Sequence, residues 1–183
     1  MNFAYVSGSA ALDLAATVES RRDGPVDLLR TPADLERWVG TCAGLPDRVS
    51  ADEATFTTAL ALRESIYDLA LDRVRGRSFE SAALATVNAA ANGPMPTLHL
   101  ADAGVHLSGG LDSALTQLAR DGIAVLADPD ATLKECGRPA CTRIYLDRSR
   151  GSRRTWCGMD ECGNRVKAAA YRARKRAADG FER

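Results

Sequence analysis

Four cysteines near the end of the chain constrain it more than any other feature. Cys136 and Cys141 form one pair and Cys157 and Cys162 another, with four residues inside each pair and fifteen between the pairs. Zinc is commonly held by four thiolates at tetrahedral corners, and two short cysteine loops joined by a spacer supply that geometry. Gly137 and Pro139 lie in the first loop, Gly158 lies in the second, and Gly163 follows the last cysteine. Such residues permit tight turns that aim backbone N–H groups at metal-bound sulfurs. Beyond Gly163 and Asn164 the chain suits a helix, so Cys162 is expected at a helix N-terminus, where the dipole favours a thiolate. A metal knuckle, a hairpin and a helix carrying a ligand at its start make a treble-clef-like finger. The expected cofactor is one structural zinc (Zn), since four thiolates leave no open coordination position. Disulfides are the alternative. They lack support because the N-terminus has no basic start followed by a continuous apolar core, the mark of an export signal.

The residues around these cysteines carry a resemblance. Cys162-Gly163-Asn164-Arg165 stands unbroken, preceded by Tyr145-Leu146-Asp147-Arg148-Ser149-Arg150 and Arg153-Arg154-Thr155-Trp156-Cys157-Gly158-Met159, and followed by Lys167 and Arg172-Ala173-Arg174. This stretch resembles the CGNR zinc-finger family. The family usually has Ser where Gly158 stands, a departure that leaves all four ligands in place. The resemblance implies a bacterial protein whose finger binds DNA.

Charge points the same way. Residues 134–176 hold 13 Lys/Arg against 4 Asp/Glu, a balance of +9, whereas residues 1–133 hold 10 against 18, a balance of −8. The formal net charge of zero therefore hides an acidic body and a basic module. Dense positive charge attracts polyanions by phosphate contact and counterion release. A solvated basic face docked on the acidic body is the bland reading. The candidate nucleic-acid contacts are Arg143, Arg148, Arg150, Arg153 and Arg154 from the hairpin region, and Arg165, Lys167, Arg172, Arg174, Lys175 and Arg176 from the last helix. In that helix Val166, Ala170, Ala173 and Ala177 form a small apolar stripe, suited to packing while the cations face phosphates or a groove.

The 183 residues suffice for one domain and a small appendage, with the boundary expected at Asp128-Pro129-Asp130. The division is a sensor-like domain over 1–130 and a zinc finger with a basic helix over 131–183. The apolar runs are too short to span a membrane. Along the body, Phe3–Val6 suits a short strand and Ala10–Glu19 a helix. Thr31-Pro32 starts a helix to about Cys42 that buries Leu35, Trp38 and Val39. Ser50-Ala51-Asp52-Glu53 offers a capping box for a long helix to about Arg75. Ser78 is expected to cap a helix from Phe79 to about Ala91. The period then changes to two, and Thr97–Leu100 and Val105–Ser108 read as a β-hairpin. A last body helix runs from Leu111 to about Asp128. The fold class is α+β: a mainly helical N-terminal domain with a small antiparallel sheet, plus the finger.

The body resembles the ABATE domain through Leu12-Asp13-Leu14, Asp27-Leu28-Leu29, Thr31-Pro32-Ala33-Asp34-Leu35 with Trp38, and Leu62-Arg63-Glu64. The family usually shows Phe and Asn where this chain has Leu14 and Ala16. The resemblance implies an α/β fold of its own and a stress-induced transcription regulator that senses a small-molecule effector. A ligand site using that Asn is in doubt here.

No residue pattern asks for catalysis. His99 and His106 are the only histidines and read as ordinary strand residues. Cys42 reads as a buried thiol. The glycines form no nucleotide-binding loop. The expectation is a cytoplasmic, non-enzymatic regulator with DNA as partner and no membrane. A homodimer would suit two DNA half-sites. RNA or ribosome binding and a zinc-stapled protein-interaction module are the rival readings.

Overall fold

The computed structural model describes residues 3–102 and 104–181. Six helices and three two-stranded antiparallel sheets follow in chain order. The body begins with α1 (Ala10–Ala15), β1 (Val18–Glu19), β2 (Val26–Asp27) and α2 (Pro32–Thr41). It continues with α3 (Glu53–Val74), α4 (Ser81–Ala91), β3 (Thr97–Ala101), β4 (Gly104–Ser108) and α5 (Leu111–Ala127). Helix α3 is the central post, packed against α1, α4 and α5. Its Leu62, Ile66, Leu69 and Ala70 meet Leu12 and Leu14 of α1, Val87 of α4, and Leu115 and Leu118 of α5 in one buried core.

Local chemistry sets the helix starts. Thr31 accepts a hydrogen bond from the Asp34 N–H, the Asp34 carboxylate accepts from the Thr31 N–H, and Pro32 occupies the first turn, as the sequence predicts. The next start differs from expectation. Asp52, not Ser50, caps α3: its carboxylate accepts from the Thr55 N–H at 2.8 Å while the Thr55 hydroxyl accepts from the Asp52 N–H at 3.1 Å. Helix α4 likewise starts later, at Ser81 with Glu80 as its cap. The predicted helix over Ala10–Glu19 stops at Ala15. The Thr17 carbonyl instead accepts from the Leu28 N–H, and Val18–Glu19 pairs with Val26–Asp27.

Buried Arg63 holds this small sheet to α3. Its guanidinium forks onto both Asp27 oxygens at 2.7 and 2.8 Å and also reaches Glu64 at 2.8 Å. Paired guanidinium and carboxylate groups of this geometry offset the cost of burying charge.

The predicted strand at Phe3–Val6 does not form. That segment is held by side chains: Val6 and Ser7 donate their N–H groups to the Asp13 carboxylate at 3.0 and 2.9 Å. Gly8 turns the chain into α1 with φ of +84°, and a Cβ there would sit 3.4 Å from Leu146. Only glycine takes that conformation at low cost.

Beyond Ala127 come β5 (Leu133–Glu135), β6 (Ile144–Leu146), a π-helical turn (Met159–Gly163) and α6 (Asn164–Phe181). The β5–β6 hairpin packs on α3, and Ile144 and Leu146 belong to the body's own core. The Leu146 N–H donates to the Ser7 carbonyl at 2.8 Å. None of the described helices is long and apolar enough to cross a membrane.

Candidate metal centre and basic surface

Strands β5 and β6 pair Leu133 with Leu146 and Glu135 with Ile144, so the loop at their tip carries Cys136 and Cys141. The Cys136 N–H donates to the Arg143 carbonyl and the Cys141 N–H to the Arg138 carbonyl, at 2.9 and 2.8 Å, which folds the loop into a knuckle. Cys157 and Cys162 bracket the entry to the π-helical turn ahead of α6, where the Cys162 and Gly163 N–H groups both bond to the Gly158 carbonyl. All four cysteines are buried and free of disulfides, and their sulfurs lie within 4.8 Å of one another. The Cys141–Cys157 and Cys157–Cys162 sulfur separations are 3.9 and 3.5 Å. Four thiolates at about 2.3 Å from zinc sit about 3.8 Å apart, so the donor set fits that ion.

Electrostatics make the same case. Hydrogen bonds from Cys141 and Cys157 hold the Cys136 thiol far below its ordinary value. The same contacts push Cys141 up to about 11 and Cys157 higher still. Four sulfurs this close compete for ionisation, and a dication is the charge that lets all four be thiolates. The Arg138 Nε–H adds a hydrogen bond to the Cys162 sulfur at 3.2 Å, and the Cys157 N–H points at the Cys136 sulfur at 3.5 Å. Cys42 stands apart: burial pushes its thiol up to about 12, so it is a core residue.

The Cys-Gly-Asn-Arg run acquires physical roles residue by residue. Cys162 is a ligand. A Cβ on Gly163 would lie 2.6 Å from the Met159 sulfur and 3.1 Å from the Trp156 ring, so any side chain there would displace Met159. The Asn164 amide donates to Asp160 at 3.2 Å across the π-helical turn. Arg165 faces solvent. Trp156 packs beside the cysteine cluster, as its position next to a ligand suggests.

The structure divides the eleven predicted basic contacts into two groups. Arg143 is withdrawn from the surface: it is 8% exposed, donates to the Ala4 carbonyl at 2.6 Å and faces Asp13 at 3.8 Å. Arg154 is also internal, donating to the Val6, Trp156 and Cys157 carbonyls and lying 4.4 Å over the Tyr145 ring. Both are clamps between the finger and residues 4–6, so neither is free to meet a phosphate. Arg148, Arg150 and Arg153 are exposed on one loop, and Arg165, Lys167, Arg172, Arg174, Lys175 and Arg176 are exposed on α6. Among the described residues, none of these nine is in a salt bridge.

Helix α6 also departs from expectation. Val166 is half-buried, but Ala170 and Ala173 are exposed, and Ala177 lies outside the described side chains. Among its described side chains the small-residue stripe is therefore covered only at Val166. The cations of α6 up to Arg176, and Tyr171, lie in solvent.

Asp13, a carboxylate in an apolar helix, proves to be the hinge between body and finger. Burial raises its pKa, and the Ser7 and Val6 N–H groups and the Arg143 guanidinium offset only part of that. A cleft of about 30 Å³ lies against the cysteine cluster, lined by Cys141, Cys157 and Cys162 with Ser20, Arg138, Thr142 and Arg165, room for about one water. The body's larger concavity is an open apolar groove of about 170 Å³ between α3, α4 and α5, lined by Leu69, Phe79, Leu84, Val87, Ile123 and Leu126. His99 and His106 pair directly across β3 and β4 with rings stacked at 5.0 Å, and the His99 Nε2 meets the Ser108 hydroxyl.

A knuckle at a hairpin tip, a second cysteine pair at a helix start and a helical body beneath define a four-cysteine zinc finger built onto an α+β domain. The comparisons name both parts. The chain belongs to the ABATE family, described as "Putative stress-induced transcription regulator", whose model matches residues 8–129. The CGNR zinc finger model matches residues 132–175, directly after it. A search of curated proteins finds no match.

Proposed function

We propose that this protein is a cytoplasmic, non-enzymatic transcription regulator that binds duplex DNA through α6 and the loop carrying Arg148, Arg150 and Arg153. The observation that carries the reading is the set of nine exposed cations without an acidic partner among the described residues, gathered on a module of balance +9. Surface cations held by acids make weak phosphate ligands, whereas free ones release counterions on binding. A helix with long exposed cations around small alanines can enter a major groove without steric cost.

Affinity for duplex DNA is expected to fall steeply with salt. Lys175→Ala should weaken binding to all sequences and lower the salt slope by about one unit. Losing a base-reading arginine should cost on the order of 1–3 kcal/mol at one position of the site, and Arg172→Ala is the first candidate. The test is fluorescence anisotropy with specific and random duplexes, and with structured RNA, at several salt concentrations. Unchanged affinity and slope in both variants would exclude α6 as the binding surface and favour a protein-interaction module. Tighter binding to RNA at matched salt would favour an RNA partner.

Effector sensing is the second half of the proposal. The groove between α3, α4 and α5 is apolar and open, which suits a small hydrophobic ligand. A binding compound should raise the melting temperature, and Leu84→Arg in the groove wall should abolish that shift. An unchanged shift in the variant would move the effector elsewhere.

A further inference from the structure

No described residue of the β3–β4 hairpin belongs to the body's core. Its strands pair only with each other, and none of their described residues is buried. Leu98 lies opposite Leu107 and Leu100 opposite Val105, which puts these four side chains on one face. Leu98 is 68% exposed, Leu100 85% and Val105 61%. An isolated two-stranded hairpin is at best marginal in water, so an ordered apolar one needs a cover.

We propose that a second copy of this chain covers it, the two hairpins packing face to face through Leu98, Leu100, Val105 and Leu107. Three observations select that occupant. First, residues 95–110 carry a single charge, Asp102 at the turn, in a chain that is 26% charged. A face without charges offers no handle for a polyanion or a charged peptide. Second, the patch is self-complementary: a two-fold axis sets the pairs Leu98–Leu107 and Leu100–Val105 against the same pairs of the other copy, the isologous arrangement of a cyclic dimer. Third, the area is adequate. The patch offers roughly 400 Å² of apolar surface per copy, within the range that marks interaction sites. With its polar rim, two copies approach the roughly 1,200 Å² at which specific interfaces begin.

The dimer does not depend on the DNA reading, and its test uses no nucleic acid. Sedimentation equilibrium of the zinc-loaded full chain should show dimers forming between about 1 and 100 μM, a range set by the modest area. Leu100→Lys with Val105→Lys would set like charges face to face and should weaken association by at least about 100-fold. Both side chains lie in solvent, so the variant should keep its zinc content and melting temperature at monomeric concentrations. His99→Gln with His106→Gln alters the opposite face and should leave association unchanged. The proposal is overturned if the native chain stays monomeric at 100 μM, if the lysine variant associates as tightly as the native chain, or if the glutamine variant dissociates.

Discussion

Stripping the zinc, or replacing Cys157 with Ser, should unfold residues 134–176 and loosen the body as well. The sequence alone suggests a finger that collapses by itself, because four ligands close a module with little core. The structure ties that module to the body. Ile144 and Leu146 lie in the body's core, the Leu146 N–H holds the Ser7 carbonyl, and Arg143 and Arg154 hold the Ala4 and Val6 carbonyls. Zinc binding supplies on the order of 10–16 kcal/mol to fingers of this kind, so its loss cannot be absorbed locally. Exposing Ile144 and Leu146 costs the body about 1.5–3 kcal/mol each. At 2–4 °C per kcal/mol for a chain of this size, the body's melting temperature should drop by about 10 °C. Hydrogen exchange with and without chelator is the measurement. Protection should vanish over 134–176 and over 3–9, weaken at the ends of α1, and persist in the middle of α3. A chelated protein that keeps protection at 3–9 and its original body melting temperature would show two independent units.

The elements most visible in the sequence are those whose ends and core faces are both encoded locally. Helix α2 has its Thr31-Pro32 start and its Leu35, Trp38 and Val39 face, and the structure has both. The zinc site was legible because metal coordination prescribes donor type and number, which spacing alone can display. Long-range contacts decided the rest. Residues 3–6 read as a strand because they are apolar, yet their backbone partners are side chains from residues 13, 143 and 154.

Arg143 shows the limit most clearly. In the sequence it is one of thirteen cations over residues 134–176. Two signals could have set it apart. It lies beside Ile144-Tyr145-Leu146, a continuous apolar run typical of a strand buried on both faces. Asp13 lies between Leu12 and Leu14 in a helix with little other polarity, and a buried carboxylate requires donors. Matching one unpaired acid to one misplaced base would have predicted the junction. Periodicity also assigns α6 a packing stripe without revealing whether anything is there to pack against.

Asp147→Asn should be strongly destabilising, although it replaces only one oxygen by an NH₂ group. The Asp147 side chain is wholly buried, and each of its oxygens already accepts hydrogen bonds. One receives the Lys134 ammonium at 2.8 Å and the Arg154 N–H at 3.1 Å, and the other receives the Ser149 N–H at 2.9 Å. An amide must turn its NH₂ toward one of these donors in either orientation. That leaves a buried donor facing a donor and leaves the Lys134 charge without its partner. Breaking a buried pair costs about 3–5 kcal/mol, and since Lys134 is a third exposed the expected loss is about 2–4 kcal/mol. The pH dependence has a definite sign. Burial alone would raise the Asp147 pKa, but the bonds from Lys134 and Ser149 outweigh it and hold the carboxyl well below the ordinary carboxylate range. A depressed native pKa contributes stability that is fully present above the unfolded value of about 3.9 and is lost as pH falls below it. The gap between native and variant proteins should therefore be flat from about pH 5.5 to 8, where the zinc thiolates also stay intact. Urea unfolding of the zinc-loaded proteins across that range is the measurement. A gap below about 0.5 kcal/mol, or one that grows toward pH 5.5, would mean that Asp147 does not hold the finger's stem as an ionised acceptor.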